Sequence, residues 1–338
     1  MKQVVLPGDG TVELCDRPRP KSHGDWVVIR VEVAPLCTEY KRWLGGGKAD
    51  WIGHEAAGTV VEIDSPQHEI AIGDRVVVLP SLACGECDIC SQGFYMHCKA
   101  WHDFEAETGS YAGRGTLAQY VLRPSYLLYP IPEDISLDHA ALSCCGLGPT
   151  FGAMQKAQSR DVDTVLISGA GPVGLGGVVN GIWRNRKVIV SEPSPQRRNM
   201  ATNLGAHLTI DPGDPNATKD IQELTDNEGV QLAVECSGTV AGQKFAMETL
   251  SLLGSLIIVG ESNDEMRIKA SDDLIRTGIS IEGNWHFNRS EYDLMFDMIR
   301  NAYGVDELIS HRIPITDIEV GFKALAAGTA SKVLLYPN

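Results

Sequence analysis

The sequence predicts an α/β protein in which a mainly-β part is joined to a doubly wound parallel sheet. Three observations carry that expectation. The first 140 or so residues hold short β-rich runs set among Gly, Pro and Asp turn signals, without helical spacing between them. From about residue 162 apolar strands alternate with helix-length segments, the pattern of a parallel sheet with crossover helices. The length, 338 residues, suits about two domains at roughly 150 residues each.

In chain order, residues 26–34, 74–79 and 117–122 read as strands of the first part. Thr164 to Ser168, Lys187 to Ser191, His207 to Ile210, Leu232 to Glu235 and Ser255 to Val259 read as strands of the parallel sheet. A helix is expected around Ser290 to Ala302, and Lys332-Val333-Leu334-Leu335-Tyr336 reads as a closing strand. No internal repeat is present.

Composition narrows the partners. Hydrophobic residues make up 43% and charged residues 22%, which fits a globular chain with a sizeable core and excludes fibres and disorder. Twenty-nine basic against 44 acidic residues leave a formal charge of -15, and an acidic surface repels phosphate backbones and anionic lipid heads. Nucleic acid and membrane are therefore not expected as partners. No apolar stretch approaches the ~18 residues of a membrane helix, and the N-terminus lacks a signal-peptide pattern, so a soluble cytoplasmic location is expected.

Nine cysteines, an odd number, include four in one short segment: Cys84-x-x-Cys87-x-x-Cys90 followed by Cys98. Cysteines three apart bridge one another only with strain, whereas thiolates on a turning loop converge readily on a tetrahedral ion. Four of them fill the shell of zinc and leave no open position, so this site is expected to be structural. An iron-sulfur cluster of bacterial ferredoxin type carries Pro after its fourth Cys, and here Lys99 follows Cys98.

Val165-Leu166-Ile167-Ser168 runs into Gly169-Ala170-Gly171-Pro172-Val173-Gly174, a G-x-G-x-x-G after a strand and opening a helix. Gly169 allows the turn, Gly171 lets backbone approach a pyrophosphate, and Gly174 lets helix and strand pack closely. A second strand ends at Glu192, near the ~20-residue offset of an acid that hydrogen-bonds the adenosine ribose; the alternative is an exposed loop carboxylate. Such an acid favours NAD over NADP, with Arg197 and Arg198 the nearby groups that would oppose it.

A further constellation is Gly53-His54-Glu55-Ala56-Ala57-Gly58, whose His54 stands 17 positions after Cys37. With this element, the cysteine lobe and the nucleotide loop in this order, the chain resembles the zinc-dependent medium-chain alcohol dehydrogenases from near residue 1 to Leu335. The resemblance implies a GroES-like catalytic domain, residues 1–150 completed by 285–338, and a Rossmann NAD-binding domain, residues 151–284. It implies a catalytic zinc on Cys37, His54 and Cys145, with Cys144 a buried neighbour and Glu55 either exchanging onto the metal or staying behind it. It also implies a homodimer or homotetramer.

Two thiolates and a neutral imidazole leave the zinc near neutral, with an open position for an alcohol oxygen, and the alkoxide would give hydride to nicotinamide. The expected activity is therefore hydride transfer between a secondary alcohol, polyol or amino-alcohol and NAD. The alternatives are an aldehyde or enone reductase of the same fold and a non-catalytic nucleotide-binding protein. Relatives commonly place a hydroxyl residue two positions after the first ligand, then an Asp. Here Leu36-Cys37-Thr38-Glu39-Tyr40 departs from that pattern. Read with one residue deleted, Thr38 takes the alcohol proton and Glu39 orients the ligand His; read without a gap, Glu39 is itself the base. Trp43, Trp51, Trp101, His102, Trp285 and His286 are further candidates for the pocket, against ordinary packing.

Overall fold

The computed structural model describes residues 1–64, 70–158 and 162–338, which divide into two compact units. The first comprises Met1–Cys145, Asn288–Arg300 and Ile309–Asn338; the second comprises Gly146–Phe287 and Asn301–Leu308. The first crossing thus falls after Cys145, and the short run 301–308 packs with the second unit, where Gly304 faces Leu204 and Val179.

The first unit begins with β1 (Lys2–Val5) and β2 (Glu13–Asp16), an antiparallel pair. Its main sheet is built on β3 (Trp26–Pro35), with β4 (Ala56–Glu62), β5 (Arg75–Val78), β6 (Tyr120–Pro124) and β7 (Leu128–Pro130). Alternation explains the burial: Val27, Ile29 and Val31 turn inward onto Val60, Val76 and Phe322, while Arg30 is exposed. Each such side chain contributes roughly 1.5–3 kcal/mol by leaving water. The strand expected at 117–122 lies at Tyr120–Pro124 instead. Leu117 and Gln119 are occupied elsewhere, bonding Val4, Ile52, Lys2 and Val31 one at a time rather than one partner strand.

The second unit holds β8 (Thr164–Ser168), β9 (Lys187–Ser191), β10 (Leu208–Ile210), β11 (Val230–Glu235), β12 (Leu250–Ile258) and β13 (Ser280–Gly283). All pairings are parallel in the order β10-β9-β8-β11-β12-β13. The order reverses between β8 and β11, so Ser168 and Glu235 end adjacent strands where doubly wound sheets bind ligands. β13 was not expected: three of its four residues are only half-buried, Gly283 is exposed, and they carry no apolar run.

The return segment opens with a capping box, Asn288 and Glu291, and continues as the helix Tyr292–Asn301. β14 (Ile309–Pro314) runs parallel to β15 (Lys332–Tyr336), which pairs antiparallel with β3, Leu335 facing Ala34. The last strand is thereby brought beside Leu36, one residue from Cys37. Among the described residues, no helix is long and apolar enough to cross a membrane.

Candidate metal centres and nucleotide loop

Cys84, Cys87, Cys90 and Cys98 bring their sulfur atoms within 4.8 Å of one another. Cys87 stands 3.5 Å from Cys90 and 3.9 Å from Cys98, and Cys98 stands 3.5 Å from Cys84. The edge of a tetrahedron with zinc–sulfur bonds of about 2.3 Å is roughly 3.8 Å, so the donor set fits zinc. Backbone N–H groups of Cys84 and Ala100 point at Cys98 Sγ at 3.3 and 3.4 Å. The N–H of Cys90, with those of Lys99 and Ile89, holds the Cys87 thiol down at about 6. The lobe is anchored from the return segment. Gly93 (φ +85°) leaves room for Asn288 Oδ1, which a Cβ would approach to 2.2 Å, and Asn288 donates to Gln92 O at 2.6 Å.

The second group gathers Cys37, His54, Glu55 and Cys145, again within 4.8 Å. Cys37 ends the turn after β3, His54 and Glu55 lead into β4, and Cys145 follows the helix Leu137–Leu142. His54 Nε2 lies 3.0 Å from Cys145 Sγ, and on the other side of the ring Nδ1 lies 2.9 Å from Glu39 Oε1. Glu39 is buried and accepts from the Cys37 N–H at 2.8 Å through Oε2. One carboxylate thus braces two metal-ligand candidates. Thr38 is exposed at the N-terminus of the short helix Glu39–Leu44, and its hydroxyl makes no cap bond there.

Glu55 is fully buried. Its Oε1 meets Lys332 Nζ at 2.6 Å and its Oε2 accepts from the Cys145 N–H at 3.0 Å. Lys332 Nζ also donates to Leu36 O at 3.1 Å. Nothing in the sequence reading singled out Lys332; the signal available was one charged residue heading an otherwise apolar strand.

Burial raises the Glu39 carboxyl, but the adjacent His54 outweighs it and leaves the group at about 2. Burial likewise opposes a charged His54, yet Glu39 and Cys37 carry its pKa well above the ordinary imidazole value. Cys37 is held well below the ordinary thiol range by its hydrogen bond from Cys145, against burial and with help from Lys332 and His54. Cys37 and burial carry the Cys145 thiol the other way, well above its ordinary range, and it is the donor set, two sulfurs and an imidazole within 4.8 Å, that matches zinc. Cys144 stays out of this set: it is buried with Sγ toward Val78 O, and burial pushes its thiol up.

In the nucleotide loop, Gly169 takes φ +92°, and a Cβ there would lie 2.8 Å from Ser237. A Cβ on Gly174 would reach 1.8 Å from Gly169 O, whereas one on Gly171 meets nothing within 4 Å. Packing therefore requires Gly174, and open space lies over Gly171 at the start of the helix Pro172–Trp183, whose first-turn N–H groups have no intrahelical acceptor. This fits a pyrophosphate. Glu192 is not an exposed loop carboxylate: it is buried, accepting from Ala170 N–H at 2.8 Å and Ser194 N–H at 2.9 Å. Each oxygen retains acceptor capacity for a ribose hydroxyl. Arg198 is tied to Glu192 O, Pro193 O and Asp211, while the Arg197 guanidinium has no ion-pair partner among the described residues.

The remaining aromatic candidates disperse. Trp43 packs on Phe322, His102 sits between Glu107 and Tyr126, His286 stacks on Phe287, and Trp101 and Trp285 are exposed. Trp51 lies under Arg114.

A closed four-sulfur site and an open Cys-His-Cys set in one unit, with a G-x-G-x-x-G parallel sheet in the other, define a two-unit zinc-binding oxidoreductase. The comparisons agree. Residues 23–133 match the alcohol dehydrogenase GroES-like domain and residues 172–301 match the zinc-binding dehydrogenase family. The erythritol/L-threitol dehydrogenase of Mycolicibacterium smegmatis is 29% identical, covering 100% of this chain and 98% of its own. An L-threonine 3-dehydrogenase of Pyrococcus horikoshii is 28% identical over 97% of this chain and 95% of its own. In fold, the alcohol dehydrogenase of Thermus sp. ATN1 superposes with a TM-score of 0.89 at 23% identity, over 99% of both chains. The chain belongs to the zinc-dependent medium-chain alcohol dehydrogenases, oxidoreductases acting on CH–OH groups.

Proposed function

We propose that this protein oxidises a secondary alcohol, polyol or amino-alcohol to the ketone with NAD, using zinc held by Cys37, His54 and Cys145. The observation that carries this reading is the open donor set with Glu39 on the far nitrogen of His54. The relatives named for erythritol, threitol and threonine support the substrate class. Zinc supplies a Lewis acid that makes the alcohol acidic, and NAD accepts the hydride.

The chain's own residues do the rest. Glu39, with Oε1 2.9 Å from His54 Nδ1, favours the tautomer with the proton on Nδ1, which leaves Nε2 as the nitrogen that would hold the metal. Glu55 stays behind the site, since Lys332 and the Cys145 N–H engage both of its oxygens. Thr38, exposed beside Cys37, receives the alcohol proton on its hydroxyl and passes it to water, as the one-residue deletion would have it. Gly171, Pro172, Val173 and Gly174 hold the pyrophosphate, Glu192 the ribose, and Cys84, Cys87, Cys90 and Cys98 a structural zinc. We assign the protein to solution in the cytoplasm as a homodimer or homotetramer, the states the family resemblance implies.

The test is NAD reduction over a panel of secondary alcohols, polyols and amino-alcohols, with and without chelator, repeated for Thr38→Ala and Glu39→Gln across pH. Chelator-sensitive turnover is expected, with Thr38→Ala losing most of kcat and Glu39→Gln losing zinc and activity more modestly. Chelator-resistant turnover, or a near wild-type Thr38→Ala alongside loss of the controlling ionisation in Glu39→Gln, would overturn the assignment.

A further inference from the structure

The loop that pairs with the run into His54 carries a cation with no ion-pair partner among the described residues. The N–H groups of Thr116 and Leu117 donate to Gly53 O and Ile52 O at 3.2 and 3.1 Å. The backbones approach so closely that a Cβ on Gly53 would fall 2.6 Å from Thr116 Oγ1, and one on Gly115 would fall 2.3 Å from Ile52 O. Immediately before Gly115, Arg114 lays its guanidinium 3.6 Å above the Trp51 ring. Trp51 is three residues from His54, so their Cα atoms lie within roughly 11 Å of each other.

Arg114 is partly buried, and burial works against its charge. No carboxylate stands within ion-pair distance of it among the described residues; Asp103 acts on it only through space. Its own carbonyl is held at 2.6 Å by Arg123 Nη2, and Arg123, 3% exposed, bonds otherwise, among the described residues, only the carbonyls of Gly113 and Leu122. Two neighbouring guanidinium groups, one buried and one half-buried, thus stand without an ion-paired carboxylate among the described residues, in a chain of net charge -15. Stacking fixes the plane of Arg114 and leaves its N–H edge without a hydrogen-bond acceptor among the described residues. The group that matches that edge is a carboxylate or phosphate, which accepts two parallel N–H bonds.

We propose that Arg114, clamped on Trp51, is the specificity-determining contact for an oxyanion carried on the same small molecule as the alcohol to be oxidised. This deepens the dehydrogenase reading above and rests on it. The oxyanion is a carboxylate or a phosphate, and the substrate is a hydroxy acid or a phosphorylated polyol rather than a neutral polyol.

The experiment compares kcat and KM with NAD for a neutral polyol, the hydroxycarboxylate of matched chain length and the corresponding polyol monophosphate. It uses wild type, Arg114→Gln and Arg114→Lys, with folding checked by circular dichroism. Wild type is expected to favour one of the two anionic substrates, and which one it favours tells carboxylate from phosphate. Arg114→Gln should raise KM for that substrate about 10- to 100-fold, the span of a charge-assisted contact, with kcat within about twofold and the neutral polyol unaffected. Arg114→Lys should recover part of the loss. A wild type that prefers the neutral polyol, or an Arg114→Gln that shifts neutral and anionic substrates alike, overturns the proposal. If no alcohol reduces NAD, the dehydrogenase reading fails separately, and calorimetric titration with malonate and with inorganic phosphate reads the site directly. Binding to wild type that Arg114→Gln loses supports the oxyanion contact; equal binding, or none to either protein, overturns it.

Discussion

Replacing Lys332 by Met isolates the buried ion pair behind the candidate metal centre. The side chains of Lys332 and Glu55 are 2% and 0% exposed, and Nζ and Oε1 are 2.6 Å apart. Burial, with the neighbouring Cys37, pushes the Glu55 carboxyl up to about 7, even with Lys332 and His54 pulling it down. Burial also opposes the Lys332 ammonium, but Glu55 and the sulfurs of Cys37 and Cys145 overcome it and raise its pKa. Removing one member of such a pair costs about 3–5 kcal/mol, because the other charge is left unpaired in a medium that solvates it poorly. For a unit of this size each kcal/mol shifts Tm by roughly 2–4 °C, so Lys332→Met should melt on the order of 10 °C lower. Glu55→Gln combined with Lys332→Met removes both charges while keeping an acceptor for the Cys145 N–H, and it should recover most of the loss. Differential scanning calorimetry of wild type, both single variants and the double variant measures the coupling. A Lys332→Met protein within about 2 °C of wild type, or a double variant no better than the single, would refute the reasoning.

Other expectations concern separate parts of the chain. Elemental analysis should find about two zinc ions per chain, and Cys87→Ser should lose about one of them together with thermal stability; unchanged zinc in a stable variant would remove the structural site. His54→Ala, Cys37→Ala and Cys145→Ser should each abolish turnover while NAD binding, followed by nucleotide fluorescence, persists. Cys144→Ser, whose sulfur faces Val78 O, should stay near wild type. Glu192→Ala should raise KM for NAD at least about 10-fold, since the loop N–H groups of Ala170 and Ser194 lose a charged acceptor. Wild type should prefer NAD, and a preference for NADP would give cofactor choice to Arg197. Burial raises the Glu235 pKa above 4.5, although Ser237 and Gly238 donate to its Oε1. The folded state therefore holds a proton that the unfolded chain releases, and stability falls as pH rises from 4.5 through the folded value. Glu235→Gln should lose that slope, so its Tm relative to wild type should climb over the same range; a pH-independent difference would contradict this.

The sequence by itself determined the parts that backbone chemistry and local spacing dictate. Gly169, Gly171 and Gly174 are legible because a positive φ, an open approach and a 1.8 Å clash each demand glycine at one position. Cys84, Cys87, Cys90 and Cys98 are legible because a short loop can wrap one ion only with such spacing, and the apolar strands Thr164–Ser168 and Lys187–Ser191 because both faces of their sheet are covered. The tertiary structure alone decided what crosses long stretches of chain. Lys332 meets Glu55 across 277 residues because β15 pairs with β3, and no local pattern encodes that register. That Glu39 stands 2.9 Å from Nδ1 of His54 emerges only once the turn after β3 has placed its carboxylate there. Glu192 is legible as an acid at the ribose offset, but its burial under the N–H groups of Ala170 and Ser194 appears only once β9 pairs with β8. Arg114 is an ordinary surface residue in the sequence; its stacking on Trp51 arises where Gly53 and Gly115 let two backbones touch. Local motifs fix which groups are available, and long-range strand register fixes which of them share a low-dielectric site, where their charges act on one another most strongly.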